Sequence, residues 1–550
     1  SWGKWKETPE SRGHRPCRDD DIDKVQWRGK WITPVQKNLN HEPPSVARRS
    51  VEDCWRIRAE FGIYIEDNGD VEQSAIPKVI IDLEEAGLPD WANDFLRLRC
   101  WQKPFPIQMQ AWPAIRCGHD VIARAPTGSG KSMAYILPMV GHVSAQHELL
   151  PGEGPVGLVL VPTRELCDQV ANEINFFSQN PGLTCASCYG GTSIHDSRAA
   201  FKGKVDIAVA TPGRLTSMLK EQSTNLDRTT FIVIDEADEL LEDPRSEGRN
   251  GEPMRKQVEY LINQVRPDRQ VVLFSATMPE HVANFAKGFL KVSPLTISVG
   301  NTTMAACKDI TQHLAFRGSR CWPRDQSKVT GLCNVLEDVK NSIAEEDRFE
   351  EMKVLVFVNR SESLREVVNG VNSRKIMLTK DKPLACKAFL GDLDQTSRAS
   401  LLKAFKERKS GLHILVSTSV LGRGHDFPDL KFVINFDYPE KKDGILEYIH
   451  RIGRTGRAGK KGYALTLMED KDIRHTPDIK NMLEKSEQQI PEQIRDATKK
   501  QIRAAWDLYE KERRGPDWDP WLGRGTGDFR RKFLEECNGF GAARPARTEE

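Results

Sequence analysis

Residues 229–241 read TTFIVIDEADELL. The run Phe231–Ile234 is apolar without polar alternation, the pattern of a strand covered on both faces and hence of a parallel sheet between helices. It ends in acids: Asp235, Glu236 and, after one alanine, Asp238. In open parallel sheets ligands bind outside the carboxyl ends of the strands. Two readings of the carboxylates are open at this point. They could be a helix start stabilised by the backbone dipole, or part of a metal site.

Working outward, similar runs recur at VGLVLV (156–161), DIAVA (206–210) and VVLF (271–274), separated by stretches of helical periodicity. A second series follows at VLVFV (354–358), HILVS (413–417), KFVINF (431–436) and YALTL (463–467). The expectation is α/β, two domains in tandem, each a parallel sheet flanked by helices, with irregular N- and C-terminal extensions. The polar segment SVGNTTMAACKD (298–309) falls between the two series. The division expected is an extension over 1–74, a first domain over 75–300, a linker over 301–312, a second domain over 313–472, and a helical segment with a basic tail over 473–550.

A chain of 550 residues, 38 % of them hydrophobic, is too long for one core and can bury two. Its 81 basic and 79 acidic residues nearly cancel, so a nucleic-acid footprint must be a local patch. The twelve cysteines are scattered. Cys185 and Cys188 stand in an apolar stretch with no second pair at zinc-finger spacing, and unpaired thiols fit a reducing compartment. Neither a signal peptide nor eighteen consecutive apolar residues occur, so the reading is a soluble protein of the nucleus or cytoplasm, with the nucleus favoured and no membrane partner. The chain opens with Ser1 rather than Met, and is expected to be a fragment. Residues 1–74 hold five of the twelve tryptophans among many charges, a mix that predicts partial disorder with local docking.

Another strand ends in DVIARAPTGSGKS (120–132). This is a phosphate-cradling loop: Thr127, Gly128, Ser129 and Gly130 offer backbone N–H groups, Lys131 places a charge on the outer phosphates, and Ser132 offers a hydroxyl to Mg²⁺. A phosphate-bound Mg²⁺ needs an acid at the end of a neighbouring buried strand. Asp235 stands there, with Glu236 beside it to polarise water. The P-loop reverses the odds that the acids alone would carry.

With these motifs the chain resembles the DEAD-box RNA helicases over roughly residues 80–470, and within them the nuclear branch of pre-mRNA and ribosomal RNA processing, on the strings EPPSVARRS, IPKVIIDLEEAGLP, IQMQAWP and VINFDYP. The resemblance implies two RecA-like domains, and ATP and Mg²⁺ as cofactors. In CWQKPFPIQ (100–108) it implies that Gln108 reads the adenine edge, since one amide can donate and accept there at once. Leu83 and Trp101 occupy the family's aromatic positions around that motif. It makes PTREL (162–166), YGG (189–191) and TPGR (211–214) contacts to RNA backbone through Thr163, Arg164, Gly191, Thr211, Gly213 and Arg214, groups that hold phosphates and sugars without reading sequence. Asp238, Ser275, Thr277 and His450 are implied to couple the domains.

In the second domain GDLDQTSR (391–398) implies RNA contacts at Gln395 and Arg398, and Thr418 another, while Asp426 resembles the residue that holds the ATP ribose. YIHRIGRTGRAG (448–459) places Arg454 and Arg457 three apart, suited to clamping a γ-phosphate from across a cleft. Two positions depart from the family pattern: Ser419 stands where the TD pair has aspartate, and Arg360 where threonine follows VFVN. Both lie on the expected RNA side. The reading is an RNA-stimulated ATPase whose closure locally unwinds or remodels RNA; the alternative is an ATP-gated RNA clamp with little unwinding. Protein partners are expected through the terminal extensions, where Trp2, Trp5, Trp27 and Trp31 and the pairs Arg513–Arg514 and Arg530–Arg531 lie.

Overall fold

Each apolar run becomes a buried strand. The computed structural model describes residues 35–514 apart from 67–75, 100, 127, 151, 180–181, 192, 243–252, 291–293, 301–308, 345–351, 391–392, 422–426, 428–429, 441–443 and 457–459. The first sheet comprises β1 (Ile63–Glu66), β2 (Val121–Arg124), β3 (Gly157–Leu160), β4 (Cys185–Cys188), β5 (Ile207–Ala210), β6 (Phe231–Asp235), β7 (Gln270–Ser275) and β8 (Leu295–Val299). Their spatial order is β1-β8-β2-β7-β6-β3-β5-β4. All pairings are parallel except β1 on β8.

Strands β3, β5, β6 and β7 are buried along their whole length, which explains why they lack polar alternation. Side chains of helices Pro106–Arg116, Lys131–Ser144 and Arg164–Ser178 fill one face of the sheet. Those of Pro212–Lys220, Met254–Gln264 and Glu280–Lys287 fill the other.

The second sheet holds β9 (Ile310–Phe316), β10 (Val354–Phe357), β11 (Cys386–Phe389), β12 (Ile414–Ser417), β13 (Phe432–Asn435) and β14 (Gly462–Met468), in the order β11-β12-β10-β13-β14-β9 with every pairing parallel. Helices Lys328–Asn341 and Ser361–Arg374 contribute to the core on one side.

The domain limits differ from the sequence division in three places. Residues 44–66 belong to the first domain: helix Val51–Glu60 starts in a capping box of Ser50 and Asp53, and β1 extends the sheet through Ile63 opposite Val299. The second sheet opens at Ile310, inside the expected linker, whose first eight residues lie outside the described ones. Beyond residue 472, helix Thr476–Lys485 buries Ile479, Met482 and Leu483 with Ile310 and Tyr448. Helix Lys499–Arg514 follows, with Arg474 stacked 3.9 Å from the centre of the Tyr509 ring. A short periodic segment with few apolar residues gives little warning of such docking.

Cys185 and Cys188 sit in the single strand β4, where Cys188 is buried against Met218. Burial pushes both thiols up to about 12, the state of packed, unreactive sulfur. Among the described residues no helix is long and apolar enough to cross a membrane.

Candidate nucleotide and RNA site

The order of the first sheet sorts the motifs into two neighbouring groups along its carboxyl edge. Strands β2, β7 and β6 lie side by side and lead into the P-loop, Ser275–Thr277 and Asp235–Asp238. Strands β3, β5 and β4 follow and lead into Thr163–Leu166, Thr211–Arg214 and Tyr189–Gly191.

In the first group the P-loop turns through Gly128 and Gly130, both in the left-handed region, and helix Lys131–Ser144 begins directly after it. Buried Lys131 reaches back to the Ala125 carbonyl at 3.1 Å. Ser129 donates its hydroxyl to Pro126 O at 2.7 Å, and Thr127 lies outside the described residues. Gln108, fully buried, accepts from Phe105 N–H at 2.9 Å and donates to Gly130 O at 2.9 Å. Its amide is thus a strut between the turn that precedes its helix and the P-loop. A methyl group on Gly130 would sit 2.5 Å from Gln108 Nε2. Trp101 packs edge-on against Phe105, whereas Leu83 is partly buried against the core.

Asp235 closes β6. Its Oδ1 accepts from Glu236 N–H at 2.9 Å and its Oδ2 from the Tyr135 hydroxyl at 2.9 Å. Ser132 hydrogen-bonds the same hydroxyl, so Tyr135 stands where the two expected metal ligands meet. Tyr135 was missed in the sequence, although its i+3 spacing from Ser132 on one helix places both on one face. Burial, and then the Glu236 charge, push Asp235 up to about 6. Glu236 is held the other way: burial alone would raise it, but Lys131, His450 and Arg454 outweigh burial and lower it.

Glu236 also sits at φ +50°, unusual for a side chain of its size, and its buried Oε2 has no hydrogen-bond partner among the described residues. A carboxylate oxygen left open beside Lys131, with Ser132 and Asp235 close by, is a donor set that fits a hydrated Mg²⁺ and a nucleotide phosphate.

Asp238 lies on the neighbouring turn. Its Oδ2 accepts from Thr277 Oγ1 at 2.5 Å and lies 3.3 Å from His450 Nε2 of the second domain. Ser275 Oγ accepts from the backbone N–H of Asp238 and of Thr277. One atom each of Glu236, Asp238 and His450 fall within 4.8 Å of one another, so three side chains of metal-ligand type meet at this joint between the domains. Arg454, 1 % exposed, donates to His450 O at 3.2 Å and lays its charge beside Glu236. Arg457 and Asp426 lie outside the described residues.

In the second group Thr163 caps helix Arg164–Ser178, accepting from Leu166 N–H at 3.3 Å. Arg164 lies over Gly191: a Cβ there would displace its guanidinium, and the φ of +89° favours glycine at the position. Arg214 donates to Tyr189 O at 3.2 Å, Thr211 precedes helix Pro212–Lys220, and Gly213 faces the Gln257 amide.

Across the cleft, Arg398 Nη1 lies 2.7 Å from Glu165 Oε1, both side chains buried. Glu165 went unremarked in the sequence because it stands inside PTREL directly after two residues assigned to RNA. Gln395 opens the helix that carries Arg398, and its side chain lies outside the described residues. Thr418 follows β12, with Ser417 Oγ donating to its carbonyl at 2.9 Å. Arg360 is exposed, 3.8 Å from Glu440.

Two mainly parallel sheets in tandem, with a phosphate loop and an acid-tipped strand in the first and an arginine-bearing helix of the second laid against them, are the arrangement of a two-domain P-loop nucleotide-binding protein. The DEAD/DEAH box helicase family model matches residues 105–285, and the helicase conserved C-terminal domain matches 331–459. A relative named ATP-dependent RNA helicase DBP2, from Chaetomium thermophilum, is 34 % identical over 85 % of this chain and 77 % of its own length. The Gibberella zeae pre-mRNA-processing ATP-dependent RNA helicase PRP5 is 35 % identical over 87 % of this chain, which spans only 37 % of that relative. Among solved structures, S. cerevisiae Dbp5 bound to RNA and ADP BeF3 shares the fold at a TM-score of 0.60 and 23 % identity, covering 77 % of this chain and 99 % of that one. The chain belongs to the DEAD-box family of ATP-dependent RNA helicases.

Proposed function

We propose that this protein hydrolyses ATP when RNA and nucleotide together hold its two domains closed, and that closure locally unwinds RNA or remodels RNA–protein complexes. The observation that carries this reading is the pair of buried contacts between the domains, Asp238 with His450 beside the nucleotide group and Glu165 with Arg398 beside the RNA group. Neither domain alone holds a complete site.

In this reading the P-loop and Lys131 bind the phosphates, Gln108 exchanges its present partners for the adenine edge, and Asp426 holds the ribose. Ser132 and Asp235 would hold Mg²⁺, which when bound neutralises charge on the β- and γ-phosphates. Glu236 orients the attacking water and takes its proton through the open Oε2, while Arg454 and Arg457 stabilise charge on the transferring phosphoryl group. Thr163, Arg164, Gly191, Thr211, Gly213, Arg214, Gln395 and Thr418 grip one RNA strand by backbone and 2′-hydroxyls, and that hydroxyl is the handle that distinguishes RNA from DNA. Work on RNA in the nucleus, with protein partners reached through the terminal extensions, completes the proposal. The relative's pre-mRNA-processing name supports it.

The test is steady-state ATP turnover without nucleic acid, with single-stranded RNA and with the matching DNA, for wild type and Glu236→Gln. Stimulation by RNA alone, lost in the variant while ATP-dependent RNA binding persists, is the expected outcome. Equal stimulation by DNA refutes the RNA assignment. Long-lived ATP-dependent binding without duplex separation favours the clamp.

A further inference from the structure

Helix Ser361–Arg374 ends at Lys375, whose left-handed backbone turns the chain into a short hairpin ahead of β11. The hairpin is bonded to itself: Leu384 N–H donates to Ile376 O at 2.8 Å, and Leu378 N–H to Lys382 O at 2.9 Å. Ile376, Leu378 and Leu384 are buried and join the core of the second domain. What the hairpin leaves outside is charge. Residues 374–387 read RKIMLTKDKPLACK, and the stretch ahead of β12, residues 403–410, reads KAFKERKS. Together they hold nine basic residues against two acids, in a chain whose formal net charge is only +2. All nine are exposed.

The two stretches meet at the amino end of the second sheet. Strands β11 and β12 are parallel neighbours, and the N–H groups of His413 and Ile414 both donate to Ala385 O, at 3.1 and 3.0 Å. Buried Lys353 fixes the second stretch, donating to Glu407 O at 2.8 Å and to Leu412 O at 2.6 Å. Charges on segments tied down in this way meet a ligand without the entropy cost of ordering a loop. Besides Asp381 and Glu407, Glu337 approaches Arg374 at 3.6 Å. The surplus of like charge repels itself, and a polyanion relieves it.

Placement relates this surface to the cleft. Helix Gln395–Lys406 starts there, with Arg398 against Glu165, and ends among the basic side chains at Lys403 and Lys406. From Arg398 to Lys406 the helix rises roughly 12 Å. RNA that runs on past the cleft along this helix comes to the basic end within a few nucleotides.

We propose that the amino end of β11 and β12 is a second RNA-binding surface, which takes the phosphate backbone of the RNA flanking the segment gripped in the cleft. Lys380 and Lys382 on the hairpin, with Arg408 and Lys409 ahead of β12, supply the charge, and no base edge is read. The surface belongs to the second domain alone. It therefore holds RNA whether or not the domains are closed, and keeps the protein on its substrate when hydrolysis opens the cleft. That the polyanion is RNA rests on the RNA-dependent ATPase reading above; the concentration of charge does not.

The test compares the full wild-type chain with two variants of equal charge change. One is Lys382→Gln with Lys409→Gln; the other, a control, is Lys202→Gln with Lys287→Gln at exposed positions of the first domain. The probes are a short single-stranded RNA that fills only the cleft, and a longer RNA in which the same strand continues into a duplex. Affinity without nucleotide is measured for each by fluorescence anisotropy over a range of salt concentrations. For the longer RNA the first variant should bind about tenfold more weakly at low salt, with the salt dependence reduced by about two phosphate contacts. Its affinity for the short RNA with a non-hydrolysable ATP analogue, and its ATP turnover at saturating RNA, should stay within about twofold of wild type, since the cleft lies beyond the screening length. The control should match wild type on both probes.

Unchanged affinity and salt dependence in the first variant overturn the proposal and leave the surface to an acidic protein partner. Equal losses in both variants trace the effect to net charge, and equal losses on both probes place the two residues in the grip of the cleft itself; either result overturns a separate surface. A wild type whose turnover RNA does not stimulate defeats the ATPase reading, while the contrast between the two probes still decides the surface.

Discussion

Removing Arg398 should act on domain closure rather than on RNA affinity alone. The guanidinium on helix Gln395–Lys406 meets Glu165 on helix Arg164–Ser178 at 2.7 Å, with the two side chains 6 % and 5 % exposed. It also lies 5.1 Å over the Phe389 ring. Truncating one member of a buried pair strands the other charge, at a cost of roughly 3–5 kcal/mol. With the domains apart each group is free to be solvated, so the cost falls on the closed state alone. At about 1.4 kcal/mol per factor of ten, Arg398→Ala should shift the closure equilibrium by roughly a hundredfold to a few thousandfold. The assay is energy transfer between one fluorophore on each domain, titrated with RNA in the presence of a non-hydrolysable ATP analogue. ATP binding without RNA should stay within about threefold of wild type, because neither residue is near the P-loop group. Glu165→Leu with Arg398→Leu should close more readily than either single substitution, since nothing is then stranded. If Arg398→Ala closes within about threefold of wild type while the salt dependence of RNA binding drops by one phosphate contact, the residue serves RNA directly and the closure argument fails.

Tyr135→Phe keeps the ring volume but removes the donor to Asp235 Oδ2, so the Mg²⁺ concentration for half-maximal binding of a fluorescent ATP analogue should rise by about tenfold. Unchanged Mg²⁺ dependence would show that Tyr135 is packing only. Gly130→Ala forces a side chain at φ +84° to within 2.5 Å of the Gln108 amide and should weaken ATP binding by at least about tenfold, with nucleotide-free RNA binding unaffected; a competition titration checks both. His142, bonded to Thr230, is held near pKa about 3 by burial, well under its ordinary 6.5. Between those values the unfolded chain takes up a proton that the fold refuses, so stability is full above about pH 6.5 and lost on acidification, by up to about 1.4 kcal/mol per pH unit. The melting temperature should therefore fall more between pH 7 and pH 5 in wild type than in His142→Gln, and equal slopes would refute the assignment.

The fold was legible because its signal is local. Runs such as FIVI and VLVF lack alternation for the physical reason that both faces of β6 and β10 are covered, and this reads directly as a parallel sheet. Which strand end each motif occupies follows from the same runs. The edges were less legible: Ile63–Glu66 alternates buried and exposed among charged neighbours, and only pairing with β8 makes it a strand. Helix Thr476–Lys485 likewise buries three apolar side chains that, in sequence, look like the inner stripe of any surface helix.

What each side chain touches was a different matter, because those partners are set by tertiary proximity. The three acids of one motif have three environments: Asp235 accepts from a hydroxyl of the P-loop helix, Glu236 keeps a buried oxygen without a hydrogen-bond partner among the described residues, and Asp238 turns to a histidine of the other domain. No composition or spacing rule separates them, since the differences arise from β7 lying between β2 and β6 and from the second domain's approach. The same holds for Ser419. In sequence it is a departure from the TD pair on the expected RNA side. In the fold it is a hydroxyl held between the Arg451 guanidinium, at 2.9 Å, and the Glu447 carboxylate that pairs with that same arginine. A substitution within a motif is therefore interpretable only together with the residues that share its partner, and here the shared partner is a buried arginine.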